Sequence, residues 1–332
     1  MRLLGRDKSN GRGSDRSQLV RIFFCTDLHG SDVCFRKFLH AGQVYEADVV
    51  IMGGDCTGKM VIPVVETDRG EFEIEWVGAS HTLGEGEELA DIERQIANAG
   101  LYPVRVSEQR MEQLAADPDL LKSTFHEAMC SRLQGWLDLA EERLADSGLE
   151  VIFTPGNDDE FDIDPVLEGS KFVSTPEGRI ERIGDGRFEM LNLAWSNTTP
   201  WDTPRECTEE TLAEKIAALA ERIESMENAI FNIHVPPYGT GLDNAPELAN
   251  GQSMKRGGAV SVPVGSYAVR DAILSYQPLL SLHGHIHESR AIQELDRTVS
   301  VNPGSAYSDW TLQGVLVDLE EGKVARYVPV TG

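Results

Sequence analysis

"LVRIFFCTDLHG", residues 19–30, is an apolar run rich in β-branched and aromatic residues that stops abruptly in Thr26-Asp27-Leu28-His29-Gly30. Followed by helical spacing from Ser31 to Ala41, it predicts a buried strand, a loop and a helix. The design returns in "ADVVIMGGD" (47–55) and "LEVIFTPGNDD" (149–159). Further apolar runs that end in polar residues stand at "AIFNIHVPP" (229–237) and "PLLSLHGHIH" (278–287), each preceded by a segment of helical spacing. Helices that alternate with buried strands predict a layered α/β sheet fold.

From Thr57 to Gly148 this rhythm breaks. "MVIPVVETDRGEFEIEWVG" (60–78) alternates apolar and polar residues on both sides of Asp-Arg-Gly and predicts a β-hairpin. "GEELADIERQIANAG" (86–100) and "STFHEAMCSRLQGWLDLAEERLADSG" (123–148) predict amphipathic helices. The expectation is a cap, residues 57–148, inserted into one domain spanning 19–332, with 1–18 as a flexible N-terminal arm. Two more hairpins are predicted at 178–197 and 314–330.

The 332 residues are 41% hydrophobic, enough for a sizeable core, and carry a formal charge of −25. Such acidity argues against a surface built for nucleic-acid phosphates or anionic lipid, both of which need a basic patch. An anionic substrate has to be drawn in locally, by a metal or a few arginines. Cys25, Cys34, Cys56, Cys130 and Cys207 are scattered and never spaced Cys-x-x-Cys, so neither a disulfide framework nor a thiolate zinc site is predicted, and a cytoplasmic setting fits. The basic, Gly/Ser-rich arm lacks the apolar stretch of a secretory signal. No run approaches the roughly 18 apolar residues of a membrane span.

The strand ends share a feature that packing does not demand. Asp27 and His29 close the first run, Asp55 the second, Asn157 the third, His234 the fourth, and His285 with His287 the fifth. Residues two apart in extended chain point the same way, so Asp27 with His29, and His285 with His287, can each converge on one centre. Open α/β sheets bind ligands at the carboxyl ends of their strands. A single histidine after a strand is most often a packed residue, and Gly30, Gly54, Gly156 or Gly284 alone is most often a turn residue. Independent turns, however, have no packing reason to collect Asp, His and Asn in this order.

The series D-x-H, G-D, G-N, a lone His after a strand, and G-H-x-H resembles the motifs of the calcineurin-like metallophosphoesterase family, and "VNPGS" (301–305) resembles the turn that follows the last of them. "GGDCTGK" (53–59) and "TTPWDTPRE" (198–206) are similar to a poorly characterised subgroup of that family. The resemblance implies an α-β-β-α sandwich, four layers made of two mixed sheets flanked by helices. It also implies a dinuclear centre in which Asp27, His29 and His287 hold one ion, Asn157, His234 and His285 hold the other, and Asp55 bridges. Mixed imidazole and oxygen donors suit divalent Mn, Fe, Zn, Co or Ni better than calcium. Two such cations roughly 3.5 to 4 Å apart turn a bridging water into hydroxide and clamp phosphoryl oxygens. The implied activity is hydrolysis of a small phosphorylated substrate, a phosphodiester such as a cyclic nucleotide or a phosphomonoester, with Asp55, Asn157, Asp158 and His234 at the reaction. The alternative is a non-catalytic metal-binding scaffold or protein-interaction module on the same fold. Its mark would be loss of ligands, and every ligand position is filled.

One departure stands out. The family's G-N-H-D or G-N-H-E places a histidine against the substrate phosphate, whereas "GNDD" (156–159) places Asp158 there. Beside divalent cations a carboxyl group is expected to be ionised, so Asp158 is not expected to protonate a leaving oxygen. His283, His81 and His126 are the alternative donors. Lys59, Arg205, Lys255 and Arg256 are candidate phosphate contacts, with Asp158 beside them, and Trp201 is a candidate stacking surface.

Overall fold

The computed structural model describes residues 19–249, 252–253 and 261–332. The arm at 1–18 and the candidate contacts Lys255 and Arg256 lie outside the described residues.

Strand Val20–Cys25 alternates its side chains between two cores, and that alternation sets the architecture. Ile22 and Phe24 point one way and Phe23 and Cys25 the other, and all four are buried. The strand pairs in parallel with Val49–Gly53, Phe24 opposite Ile51, and antiparallel with Gln313–Glu320. With Glu150–Thr154 on one edge and Lys323–Thr331 on the other, these make a five-stranded mixed sheet. A second, six-stranded mixed sheet runs Ala291–Leu295, Thr298–Asn302, Leu280–Leu282, Ala229–Ile233, Phe188–Leu193, Ile180–Ile183.

The two sheets stack face to face. Ile22, Phe24, Val49 and Ile51 of the first meet Met190, Ile230, Leu280 and Val301 of the second in one buried cluster. Phe23, Val50, Met52 and Phe153 on the outer face of the first sheet carry helices Asp32–Val44 and Pro118–Leu144. There Phe35 stacks on Trp136 with ring centroids 4.2 Å apart. Leu191, Phe231 and Ile233 on the outer face of the second sheet carry helices Glu209–Ala220 and Tyr267–Tyr276. The four-layer sandwich expected from the sequence is therefore present, and the two later hairpins pair as expected.

The insert is built differently from the expectation of a hairpin and helices. Val61–Glu66 and Glu71–Trp76 do form the hairpin, but Ala79–Gly84 and Tyr102–Ser107 extend it to four strands. Val64, Phe72 and Ile74 of this sheet pack on Leu89, Ile92 and Ile96 of helix Glu87–Asn98, giving the insert a small core of its own. The long helix Pro118–Leu144 starts five residues before the predicted stretch because the Asp117 side chain caps the N–H groups of Asp119 and Leu120, with Pro118 at the first turn. Its buried Met129, Leu133, Trp136 and Leu137 belong to the main core, so this part of the insert is a layer of the sandwich.

Candidate metal centre

The loops that follow the strands are knit to one another before any side chain is considered. The N–H groups of Asp27, His29 and Gly30 donate to the carbonyls of Gly54, Asp55 and Cys56, each at 2.9 Å, and Gly284 N–H donates to His234 O at 2.8 Å. This lattice holds Asp27, His29, Asp55 and His285 in the left-handed region, with φ of 55°, 42°, 48° and 66°. That conformation costs a non-glycine residue about 1 kcal/mol or more, and such strain persists only where the surroundings over-determine it, often at functional sites. Gly54, with φ +123°, has no room for a side chain because a Cβ would strike the His234 imidazole. At Gly156 a Cβ would strike the Asp55 carboxylate.

Side chains from both sheets meet above these loops. Asp27, His29, Asp55, Asn157 and His234 are buried, and His285 and His287 are partly exposed. Asp55 lies at the middle: Oδ2 is 3.6 Å from His29 Nε2 and Oδ1 is 3.4 Å from His234 Nε2. Asp27 Oδ1 is 3.3 Å from His287 Nε2, 3.8 Å from His234 Nε2 and 4.0 Å from His29 Nε2. His29 Nε2 and His287 Nε2 approach to 3.0 Å, and His285 Nδ1 lies 2.7 Å from Asn157 Oδ1. The sequence-predicted ligands are thus brought close to one another. Ligand atoms of Asp27, His29 and His287, of Asp27, Asp55 and His234, and of His29, Asp55 and Asp158 form three clusters with all atoms in each within 4.8 Å of one another.

Orientation comes from bonds on the far side of each group. His234 Nδ1 faces Gly53 O at 3.1 Å, leaving Nε2 buried, without a hydrogen-bond partner and aimed at the carboxylates. The Asp27 carboxylate accepts from His285 N–H at 3.1 Å, and its carbonyl accepts from Ser305 Oγ at 2.7 Å. Asp158 N–H donates to Asp55 Oδ1 at 3.0 Å.

Electrostatics sort the group by charge. Burial disfavours the ionised carboxylates, but His287 and His234 outweigh it and bring Asp27 down to about 2, and His234 with His29 holds Asp55 well below the usual carboxylate range. Burial also works against charge on His234, yet Asp55 and Asp27 push that imidazole up to about 10. At His29 and His285 burial prevails and lowers both to about 4. Ionised carboxylate oxygens, an amide oxygen and imidazole nitrogens, with His29 Nδ1 and His234 Nε2 unpartnered, are a donor set that fits divalent transition-metal cations, which would displace the proton that Asp55 and Asp27 hold on His234.

The cluster opens into a cleft of about 820 Å³. Lys59 is the one Lys or Arg among the described residues that line it, and its ammonium sits 2.5 Å from Asp158 Oδ2. Pro200, Trp201, Pro246, Val262 and Val264 form an apolar wall, with Trp201 65% exposed rather than buried. Of the described residues of the insert, 57–148, Lys59 alone lines the cleft.

Several candidates fall elsewhere. Arg205 is only 2% exposed and does not line the cleft; its guanidinium binds Asp159 O, Glu160 O and Asp164 and lies over the Phe161 ring. It is a clamp on the 159–164 segment and not a phosphate contact. His283 is buried, with Nδ1 at 2.8 Å from Ile233 O and Nε2 at 3.0 Å from Ser281 Oγ. His126 pairs with Asp162 at 2.6 Å, and His81 sits in the insert sheet, so none of the three alternative proton donors reaches the cleft. Conversely, sequence reasoning passed over Tyr307, whose ring lies 4.8 Å from that of His29 and backs it. The signal was an aromatic residue two positions beyond "VNPGS".

Two stacked mixed sheets flanked by helices, with Asp, His and Asn gathered at the carboxyl ends of their strands, are the design of calcineurin-like metallophosphoesterases, and the chain resembles that class in fold and in motif order. No family model matches the chain. It is 29% identical over 166 residues to uncharacterized protein MJ1162 of Methanocaldococcus jannaschii, an alignment covering 49% of this chain and 68% of that protein. The protein TT1561 of Thermus thermophilus superposes with a TM-score of 0.52 and 13% identity over 95% of this chain and 98% of that one, which shows a shared fold. A novel archaeal phosphodiesterase superposes at 0.38, with 11% identity over 94% of this chain and 100% of that one.

Proposed function

We propose that the chain is a metal-dependent phosphoesterase that hydrolyses a small phosphorylated substrate, preferentially a phosphodiester. The observation that carries this reading is the double-faced carboxylate of Asp55, one oxygen toward His29 and the other toward His234. In this reading Asp27, His29 and His287 hold one divalent cation, Asn157, His234 and His285 hold a second, and Asp55 is shared. When bound, such a pair supplies Lewis acidity toward phosphoryl oxygens and activates water at neutral pH.

The chain's own residues do the rest. Lys59, the one Lys or Arg among the described residues lining this cleft, offers a fixed positive charge, and Asp158 holds the ammonium over the site through their 2.5 Å contact. That pair occupies the place of the usual histidine. It is suited to bind and orient an anionic oxygen. The apolar wall around Trp201 suits an organic group esterified to the phosphate.

Metal analysis of the purified protein, paired with bis-nitrophenyl phosphate hydrolysis with and without chelator, tests the reading. About two ions per chain with chelator-sensitive turnover supports it. Protein that stays metal-free after manganese or zinc supplementation sinks it and favours the scaffold alternative.

Restoring the imidazole gives a sharper prediction. Asp158→His is expected to raise turnover of alkyl phosphoesters by roughly 10-fold or more, because a general acid contributes most where the leaving group is poor. Activated aryl esters should change little. Unchanged alkyl-ester rates would show that proton donation at this position is not limiting.

A further inference from the structure

We propose that Thr203 and Glu206 are positioning residues which fix the amide of Asn157 so that its oxygen, not its nitrogen, faces the centre. The inference rests on reading Asn157 as a metal ligand. A carboxamide has two chemically opposite ends, and only the oxygen offers a lone pair to a cation. A half-turn of the amide would replace a ligand with two N–H groups, so something outside the centre has to choose between the two orientations.

The hydrogen-bond chain beside Asn157 makes that choice. Asn157 Nδ2 donates to Thr203 Oγ1 at 2.8 Å, and Thr203 Oγ1 donates to Glu206 Oε1 at 2.6 Å. A hydroxyl has one proton, and here it is committed to the carboxylate. The side of Oγ1 that meets Asn157 therefore carries only lone pairs and accepts from an N–H group. An inverted amide would set two acceptors against each other.

Glu206 in turn is locked as an acceptor. It receives Thr199 N–H at 2.8 Å, Thr199 Oγ1 at 2.5 Å and Thr203 N–H at 3.0 Å. The bonds thus run from the amide of Asn157 through Thr203 Oγ1 to one carboxylate, and Asn157 Oδ1 is left facing His285 Nδ1. Partners of this kind behind a ligand typically change metal affinity 10- to 100-fold, as a rough guide.

Manganese binding to the metal-stripped full chain tests the assignment, read by calorimetry and by the electron paramagnetic resonance of a coupled manganese pair. The wild type is expected to take up two ions. Thr203→Val, which keeps the shape and loses the hydroxyl, is expected to bind the second ion ~10- to 100-fold more weakly, with the first unchanged and the coupled signal lost. Thr203→Ser is expected to restore both readouts. Glu206→Gln, whose amide can donate to Thr203 and so free the hydroxyl proton to point at Asn157, is expected to weaken the second ion as well. It covers the case in which the valine variant fails to fold. Thr203→Val or Glu206→Gln variants that bind both ions with wild-type affinity overturn the inference while leaving the dinuclear reading intact. A wild type that binds fewer than two ions overturns both.

Discussion

Asp55→Asn is expected to lower kcat/KM on bis-nitrophenyl phosphate by ~10³-fold or more, equivalent to about 4 kcal/mol of lost transition-state stabilisation, and to reduce bound metal to about one ion per chain. The carboxylate presents one oxygen to His234 at 3.4 Å and the other to His29 at 3.6 Å. Asparagine keeps one oxygen and turns an N–H₂ group to the other side, so one of the two ligand groups loses its shared anion and gains a donor that repels a cation. The fold should survive. Asn157 and Asp158 stay in place if the new amide oxygen keeps the bond from Asp158 N–H, which is 3.0 Å from Oδ1. Because His234 and His29 hold the Asp55 carboxylate ionised against its burial, neutralising it leaves the charged His234 imidazole without its main partner, so the metal-free variant is expected to melt earlier than the metal-free wild type. Wild-type turnover with two bound ions in Asp55→Asn would remove the dinuclear reading. Full recovery of chelated wild type on adding manganese, without recovery in the variant, would separate loss of a ligand from loss of structure.

That the cluster was legible in the sequence follows from where its members stand. Asp27, Asp55, Asn157, His234 and His285 each follow a strand buried on both faces, so an apolar run with a polar end announces both the strand and the place where its loop emerges. Parallel pairing of neighbouring strands then puts those ends on one edge. The other misreadings concern residues whose setting is decided by partners distant in sequence. "ASHTLG" (79–84) has no apolar face and becomes a strand only as the edge of the insert sheet, paired to Glu71–Trp76. Nothing in "GNDD" says that a threonine 46 positions further on accepts from Asn157. Side-chain bonds between loops carry no periodicity, and periodicity is what pattern reading detects.

Arg205 is the residue whose role the two readings separate most sharply, and Arg205→Met is expected to cost about 3 kcal/mol of stability. The guanidinium is 2% exposed and directs its donors to Asp159 O at 2.9 Å, Glu160 O at 3.3 Å and Asp164 Oδ1 at 2.6 Å. Its face lies 4.4 Å from the centroid of Phe161. Methionine fills a similar volume but leaves two carbonyls and a carboxylate without their cation. Breaking a buried pair from one side costs about 3 to 5 kcal/mol, and the low end applies because Asp164 is 37% exposed and can rehydrate. Lysine is not expected to rescue, since a single ammonium cannot span three acceptors set out for a planar fork. The loss should appear as a lower urea midpoint with an unchanged slope. Catalysis would fall with it, because the clamped segment begins two residues past Asn157, whose carbonyl accepts from the backbone N–H of residue 205 at 3.0 Å and so moves with the segment. A phosphate-binding arginine would behave in the opposite way, raising KM when removed and leaving the midpoint where it was. An Arg205→Met variant with wild-type stability and a KM raised ~10-fold or more would therefore return Arg205 to the substrate and show that the 159–164 segment holds its shape without the clamp.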